Sequence, residues 1–181
     1  QDLLGHCSYQ LSMLSGNVTR VDYALDLPNV PFRHLITDYA YSPSYYPFFE
    51  YDSRTGYRYG DKTGCPISAY DKAKEQGGQY LGYSKYTRIE KQHKPRARGA
   101  KSMFKVAEMD KQKYSFQGLR FYDPNILLKM PNRVYTLIEQ YGIGKALSLI
   151  DGPDHRILKK KMEKYRLARG ASFKKVLENT Y

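Results

Sequence analysis

The chain contains no tryptophan, only two cysteines and only four histidines. Its apolar runs are a few residues long, far short of the roughly 18 needed to cross a bilayer as a helix. Cys7 and Cys65 lack CxxC spacing, and two cysteines make no disulfide framework; that usage favours a reducing or matrix-like compartment. His6, His34, His93 and His155 show neither HxxxH nor HxH spacing. A metal site from His6, Cys7, His34 and Cys65 requires a fold to be assumed first. Glycine-rich phosphate loops (GxGxxG, GxxxxGK[ST]) and the GxSxG nucleophile elbow are missing, as are paired acidic clusters. These absences predict a protein that is not an enzyme, with no cofactor, no metal and no small-molecule substrate. Gln1 stands where an initiator Met would, without a charged start and apolar core. No secretory signal is therefore expected, and removal of an organellar targeting peptide fits a basic chain.

What the sequence has in quantity is tyrosine and positive charge. There are 19 tyrosines, and apolar residues make up 41% even when these half-polar rings are counted. Net charge is +12 and unevenly spread. Residues 1–84 hold seven Lys/Arg against nine Asp/Glu, and residues 114–155 balance at four against four. Residues 85–113 hold ten against three, and residues 156–175 nine against one. Two basic blocks thus flank a neutral apolar segment. Segregated positive charge is the footprint of a polyanionic partner, either nucleic acid or an anionic membrane.

Leu4, Leu11 and Leu14 hint at a helix near the start. LDLPNVPF (Leu25–Phe32) reads as a connector, because each proline pushes its predecessor toward extended geometry. Arg33–Tyr41 fits either a helical turn or a short strand. Ser42–Gly60 holds five tyrosines and two phenylalanines, with Pro43, Pro47, Gly56 and Gly60 against a helix, and TGYRYGDKTGCP (Thr55–Pro66) reads as successive turns. A free linker would be poor in aromatics. The reading is an extended strap whose rings, Tyr45, Tyr46, Phe48, Phe49, Tyr51, Tyr57 and Tyr59, insert into a partner, since rings give large contact area for few torsions. Packing of the same rings on the chain's own helices is the alternative. Residues 67–80 suit a short helix stopped at Gly77-Gly78.

KPRARGAK (Lys94–Lys101) brings Lys94, Arg96, Arg98 and Lys101 together, either as a solvated loop or as a phosphate-neutralising tail beside Tyr80, Tyr83 and Tyr86. Beyond it, Val134, Leu137, Ile138 and Tyr141 recur with helical period after a candidate cap at Asn132. Gly142-Ile143-Gly144 interrupts. Ala146, Leu149 and Ile150 suit a second short helix. A third is predicted from Pro153 to about Ala168, with Leu158, Met162 and Tyr165 on its apolar stripe. Its remaining faces carry Arg156, Lys159, Lys160, Lys161, Lys164, Arg166 and Arg169. Such a helix can cover RNA phosphates without reading sequence, or lie on an anionic membrane; the lack of Trp or Phe anchors speaks against the membrane.

LIEQYGIGKALSLI (Leu137–Ile150) resembles a helix-hairpin-helix, with Leu137 and Ile138 on the first helix, Gly142-Ile143-Gly144 as the hairpin and Ile150 closing. The resemblance implies a backbone phosphate held at Gly142, Gly144 and Lys145. The plain alternative is an inter-helix turn. The combination of aromatic arms and basic blocks resembles, in style, the accessory proteins of mitochondrial ribosomes.

The expected fold is mainly α with long irregular, turn-rich extensions. Residues 1–38 form a weakly helical segment, 39–118 an extended Tyr-rich and basic arm, and 119–181 a small helical module. The expected function is that of a non-catalytic structural subunit of a large mitochondrial assembly on the matrix side, a ribosomal protein contacting rRNA and neighbouring subunits. A supernumerary subunit of a respiratory complex or ATP synthase, bound to protein and lipid headgroups, is the first alternative. A DNA-binding protein using the hairpin and a protein of a ciliary microtubule lattice are further ones.

Overall fold

The computed structural model describes residues 20–42, 44–50, 53–61, 65–93, 116 and 118–169. Among these the chain forms eight strands, and the mainly α expectation is overturned. They are β1 (Val21–Pro28), β2 (Ile36–Tyr39), β3 (Tyr45–Glu50), β4 (Ser53–Tyr59), β5 (Ile67–Asp71), β6 (Tyr86–His93), β7 (Leu119–Tyr122) and β8 (Arg166–Arg169). The helices are α1 (Lys72–Glu75), α2 (Asn132–Leu149) and α3 (Gly152–Lys164).

β3, β4, β5 and β6 form an antiparallel meander, and β1 adds beside β6 to give the order β1-β6-β5-β4-β3. Side-chain alternation explains the inward face. Tyr57, Tyr59, Ile67, Ala69, Thr87, Ile89 and Leu27 are buried, while their neighbours Arg58, Ser68, Arg88 and Asp26 are not. Pairing aligns Tyr57 with Ala69, Ala69 with Ile89, and Ile89 with Leu25. On the outer face Tyr70 pairs across to Arg88, and Arg88 across to Asp26. The Arg88 guanidinium donates to both Asp26 oxygens, at 2.5 and 2.9 Å. Pro47 is tolerated because β3 is an edge strand, where one backbone N–H is dispensable.

β2, β7 and β8 make a second antiparallel sheet in the order β2-β7-β8. It is the middle layer. Leu119 and Phe121 join the core of the large sheet together with Leu27, Val30, Phe32 and Leu35. Ile36 and Tyr122, on the opposite side of the same strands, join a second core with Ile126, Val134, Ile138, Ile143, Ala146 and Leu158. The fold is therefore sheet, small sheet, helices, with a core in each gap.

Three local expectations fail for identifiable reasons. The first half of the connector at Leu25–Phe32 belongs to β1, since Leu25 and Leu27 alternate with Asp26. TGYRYG is β4, not a run of turns, because its two tyrosines fall on one face. The third helix stops at Lys164, and Arg166–Arg169 pairs with β7 as β8. The short helix before Gly77-Gly78 forms, as α1, and the Asp71 carboxylate accepts from the Lys74 amide at 2.9 Å. α2 begins at Asn132, with Pro131 in the cap position, and bends at Gly142.

Candidate nucleic-acid interface

α3 starts at Gly152-Pro153, where proline's missing N–H is harmless. Leu158 is fully buried, and Met162 and Tyr165 pack against the same core. Asp154, itself buried, accepts from Arg133 Nε at 2.6 Å and so ties the start of α3 to the start of α2. Lys161 is spent on structure: its ammonium donates to the carbonyls of Ile126 (3.2 Å) and Leu128.

The outward side of α3 carries Arg156, Lys159, Lys160 and Lys164, all exposed, with Glu163 among them. Arg156, Lys159 and Lys160 make no ion pair among the described residues. Lys164 lies over the Tyr165 ring, 5.1 Å from its centroid. Arg156, Lys160 and Lys164 form an i, i+4, i+8 ridge, with about 6 Å of axial rise between successive cations. That spacing is close to the separation of consecutive phosphates on one nucleic-acid strand. Exposed Arg166 follows directly, and Arg169 ends β8. Lys94, Arg96, Arg98 and Lys101 lie outside the described residues, as does Tyr51.

The Gly142-Ile143-Gly144 turn is packed into the fold. Gly142 has φ +75, and a Cβ there would meet the Tyr45 ring at 2.8 Å. A Cβ on Gly144 would meet an Asp38 carboxylate oxygen at 2.2 Å. Both glycines are explained by this close approach of α2 to β2 and β3. Asp38 pairs with Arg120 at 3.1 Å. Burial nonetheless raises its pKa, against the opposing pull of Arg120 and of the Tyr39 amide. A cleft of about 320 Å³ opens here, lined by Asp38, Tyr39, Arg120, Tyr141, Gly142, Gly144 and Lys145 among others. Lys145 is exposed at its edge.

The strap rings divide. Tyr57 and Tyr59 are 2% and 3% exposed, so the chain's own core holds them. Tyr45 stacks on Tyr57 with centroids 5.2 Å apart. The Tyr57 hydroxyl shares a hydrogen bond with Thr37 Oγ1 at 2.6 Å, and the Tyr59 hydroxyl donates to the Thr37 carbonyl at 2.6 Å. Burial lifts the Tyr45 phenol to about 12 and raises Tyr57 and Tyr59 further. Phe48 is half-buried, whereas Tyr46 and Phe49 are exposed. Tyr46 donates to Asp61 at 2.8 Å and lies beneath the Arg58 guanidinium.

The sequence reading missed Arg54. Its guanidinium sits inside the ring cluster, donates to the Tyr45 hydroxyl at 2.9 Å and pairs with Glu139 of α2 at 3.1 Å. A lone arginine amid tyrosines carries no local signal for such a role. No protein-family model matches the chain, and no curated protein sequence matches it.

Proposed function

We propose that the chain is a non-catalytic structural subunit of a large mitochondrial assembly, first of all the mitochondrial ribosome, and that α3 lies along the rRNA backbone. The observation that carries the reading is the cationic ridge of α3. Its inner stripe is fully used by the core, its outer cations lack carboxylate partners among the described residues, and their spacing suits a row of phosphates. Phosphate contacts of this kind position a protein without reading sequence. Exposed Phe49 and Tyr46 on edge strand β3 are then the rings available to a neighbouring subunit.

A second reading has its own support. Ile157, 42% exposed, lies one turn before Lys161, whose ammonium holds the carbonyl of Leu128, 62% exposed. Apolar side chains beside a basic ridge suit lipid headgroups, as in a supernumerary subunit of an inner-membrane complex.

RNA affinity measured against salt separates the two. The RNA reading predicts a steep linear fall of log K with log salt. Replacing Arg156, Lys159, Lys160 and Lys164 by alanine should flatten the slope by about 3, the value for four phosphates on a single strand. A slope unchanged by these substitutions would contradict it.

A further inference from the structure

The two edges of the large sheet are built differently. β3 is guarded against strand pairing: Pro47 sits at an outward-facing position, and a bulge breaks the register between Phe48 and Phe49. The edges of the small sheet, β2 and β8, are only four residues long. β1 lacks a bulge, an internal proline and an inward charge. Its eight residues pair with β6 in an unbroken register from Val21–His93 to Pro28–Tyr86, with the one proline at the end. Among the described residues no strand lies on its far side.

The ladder fixes which backbone groups this edge presents. The Asn29 amide donates to the Lys85 carbonyl at 2.9 Å, in the register of the β1–β6 pair. Bonding alternates along an antiparallel ladder, so Tyr23, Leu25 and Leu27 spend their backbone groups on β6, and Asp22, Ala24 and Asp26 turn theirs outward. Side chains follow the same parity. On the inner face Leu27 is buried, whereas Leu25 packs against the core only half-buried and Tyr23 is half-buried too. The core is therefore open along this edge. On the outer face exposed Ala24 stands between Asp22 and Asp26, which Arg20 and Arg88 pair within the chain.

We infer that β1 receives an extended segment of a neighbouring protein as an added strand of the large sheet, with a lysine or arginine opposite Ala24. The outward amides and carbonyls of Asp22, Ala24 and Asp26 supply the main-chain bonds, and alternate side chains select the partner. Its inward residues are apolar, because they cover Leu25 and Tyr23. The outward residue facing Ala24 meets a small neighbour and has a carboxylate on each diagonal, roughly 7–8 Å away and within reach of a long side chain. A second copy of β1 cannot fill this place, since VDYALDLP contains no lysine or arginine. The inference concerns a different surface from the α3 ridge and stands if the RNA contact fails.

The test is amide hydrogen exchange on the isotope-labelled full chain, read by NMR. The probe is a peptide of about ten residues that alternates valine with threonine and carries lysine at one central threonine position. Exchange should slow about tenfold at Asp22, Ala24 and Asp26, and stay nearly unchanged at Leu25 and Leu27, whose amides already bond β6. The same peptide with glutamate for lysine should bind about fivefold more weakly, and one N-methylated on the amides that face β1 should not bind. Ala24→Pro removes an N–H that the fold does not use. It should keep the urea midpoint and weaken the lysine peptide about tenfold. If that variant unfolds, the N-methylated peptide decides the same point. Absence of the alternating protection, equal binding of the glutamate or N-methylated peptide, or full affinity in folded Ala24→Pro overturns the inference. Protection of the three amides that grows with protein concentration alone assigns the edge to a second copy and also overturns it. Alanine at Arg156, Lys159, Lys160 and Lys164 should leave peptide binding untouched, so failure here and failure of the α3 contact are read separately.

Discussion

Thr37 hydrogen-bonds the small sheet to the large one across their shared core. Its hydroxyl meets the phenols of Tyr57 and Tyr59 at 2.6 and 3.2 Å, and all three side chains are buried. Thr37→Val keeps the shape but leaves the Tyr57 hydroxyl without this partner, so it should cost about 1–3 kcal/mol. The midpoint of urea unfolding measures this, and an unchanged midpoint would remove Thr37 from the account. Together with the Tyr45 ring stacked on Tyr57, these phenols set an alkaline limit. Burial raises their pKa above the ordinary 10.0, to about 12 for Tyr45. Below pH 10 the phenols are neutral in both folded and unfolded chains and their contribution is intact. Above it only the unfolded chain ionises them, so stability falls as pH climbs from 10 through about 12. The share of tyrosinate absorbance that belongs to this buried cluster should therefore appear in step with unfolding, and ionisation of all 19 tyrosines in a chain that is still folded would contradict the cluster.

Between elements, Arg54 couples the large sheet to α2. Its side chain is 8% exposed, against 25% for Glu139. Removing one partner of a buried pair strands the other, so Arg54→Met should destabilise by about 3 kcal/mol. The pair Arg54→Met and Glu139→Gln together should cost less than the sum of the single changes, and additivity in denaturation would deny the coupling. Elements whose signals are local were legible in the sequence. The interruption at Gly142, the stripe of Leu158, Met162 and Tyr165, and the stop after α1 all follow from glycine, proline or helical period. The strands were hidden because their partners are distant: Asp26 meets Arg88 across 62 residues, and Asp38 meets Arg120 across 82. Pro47 and Gly56 look like strand breakers until β3 is known to be an edge and Gly56 to lie under the Phe48 ring. The basic face of α3 was legible as charge. The loss of Lys161 to backbone carbonyls was not, nor was the commitment of Tyr57 and Tyr59 to the core, because both depend on elements remote in the chain.

At the scale of the whole molecule, charge and packing are separated. The layered cores engage the apolar side chains of all three layers, and the cations of α3 remain outside them. The account's central claim is that these cations meet RNA within a larger particle. The measurement that tests it most directly is sedimentation of the tagged full-length protein from organelle lysate, with and without RNase. The account predicts co-sedimentation with ribosomal subunits that collapses after RNase, and that is weakened when Arg156, Lys159, Lys160 and Lys164 are replaced by alanine. Migration with a membrane-protein complex, unchanged by RNase, would contradict it and assign the basic ridge to protein or lipid.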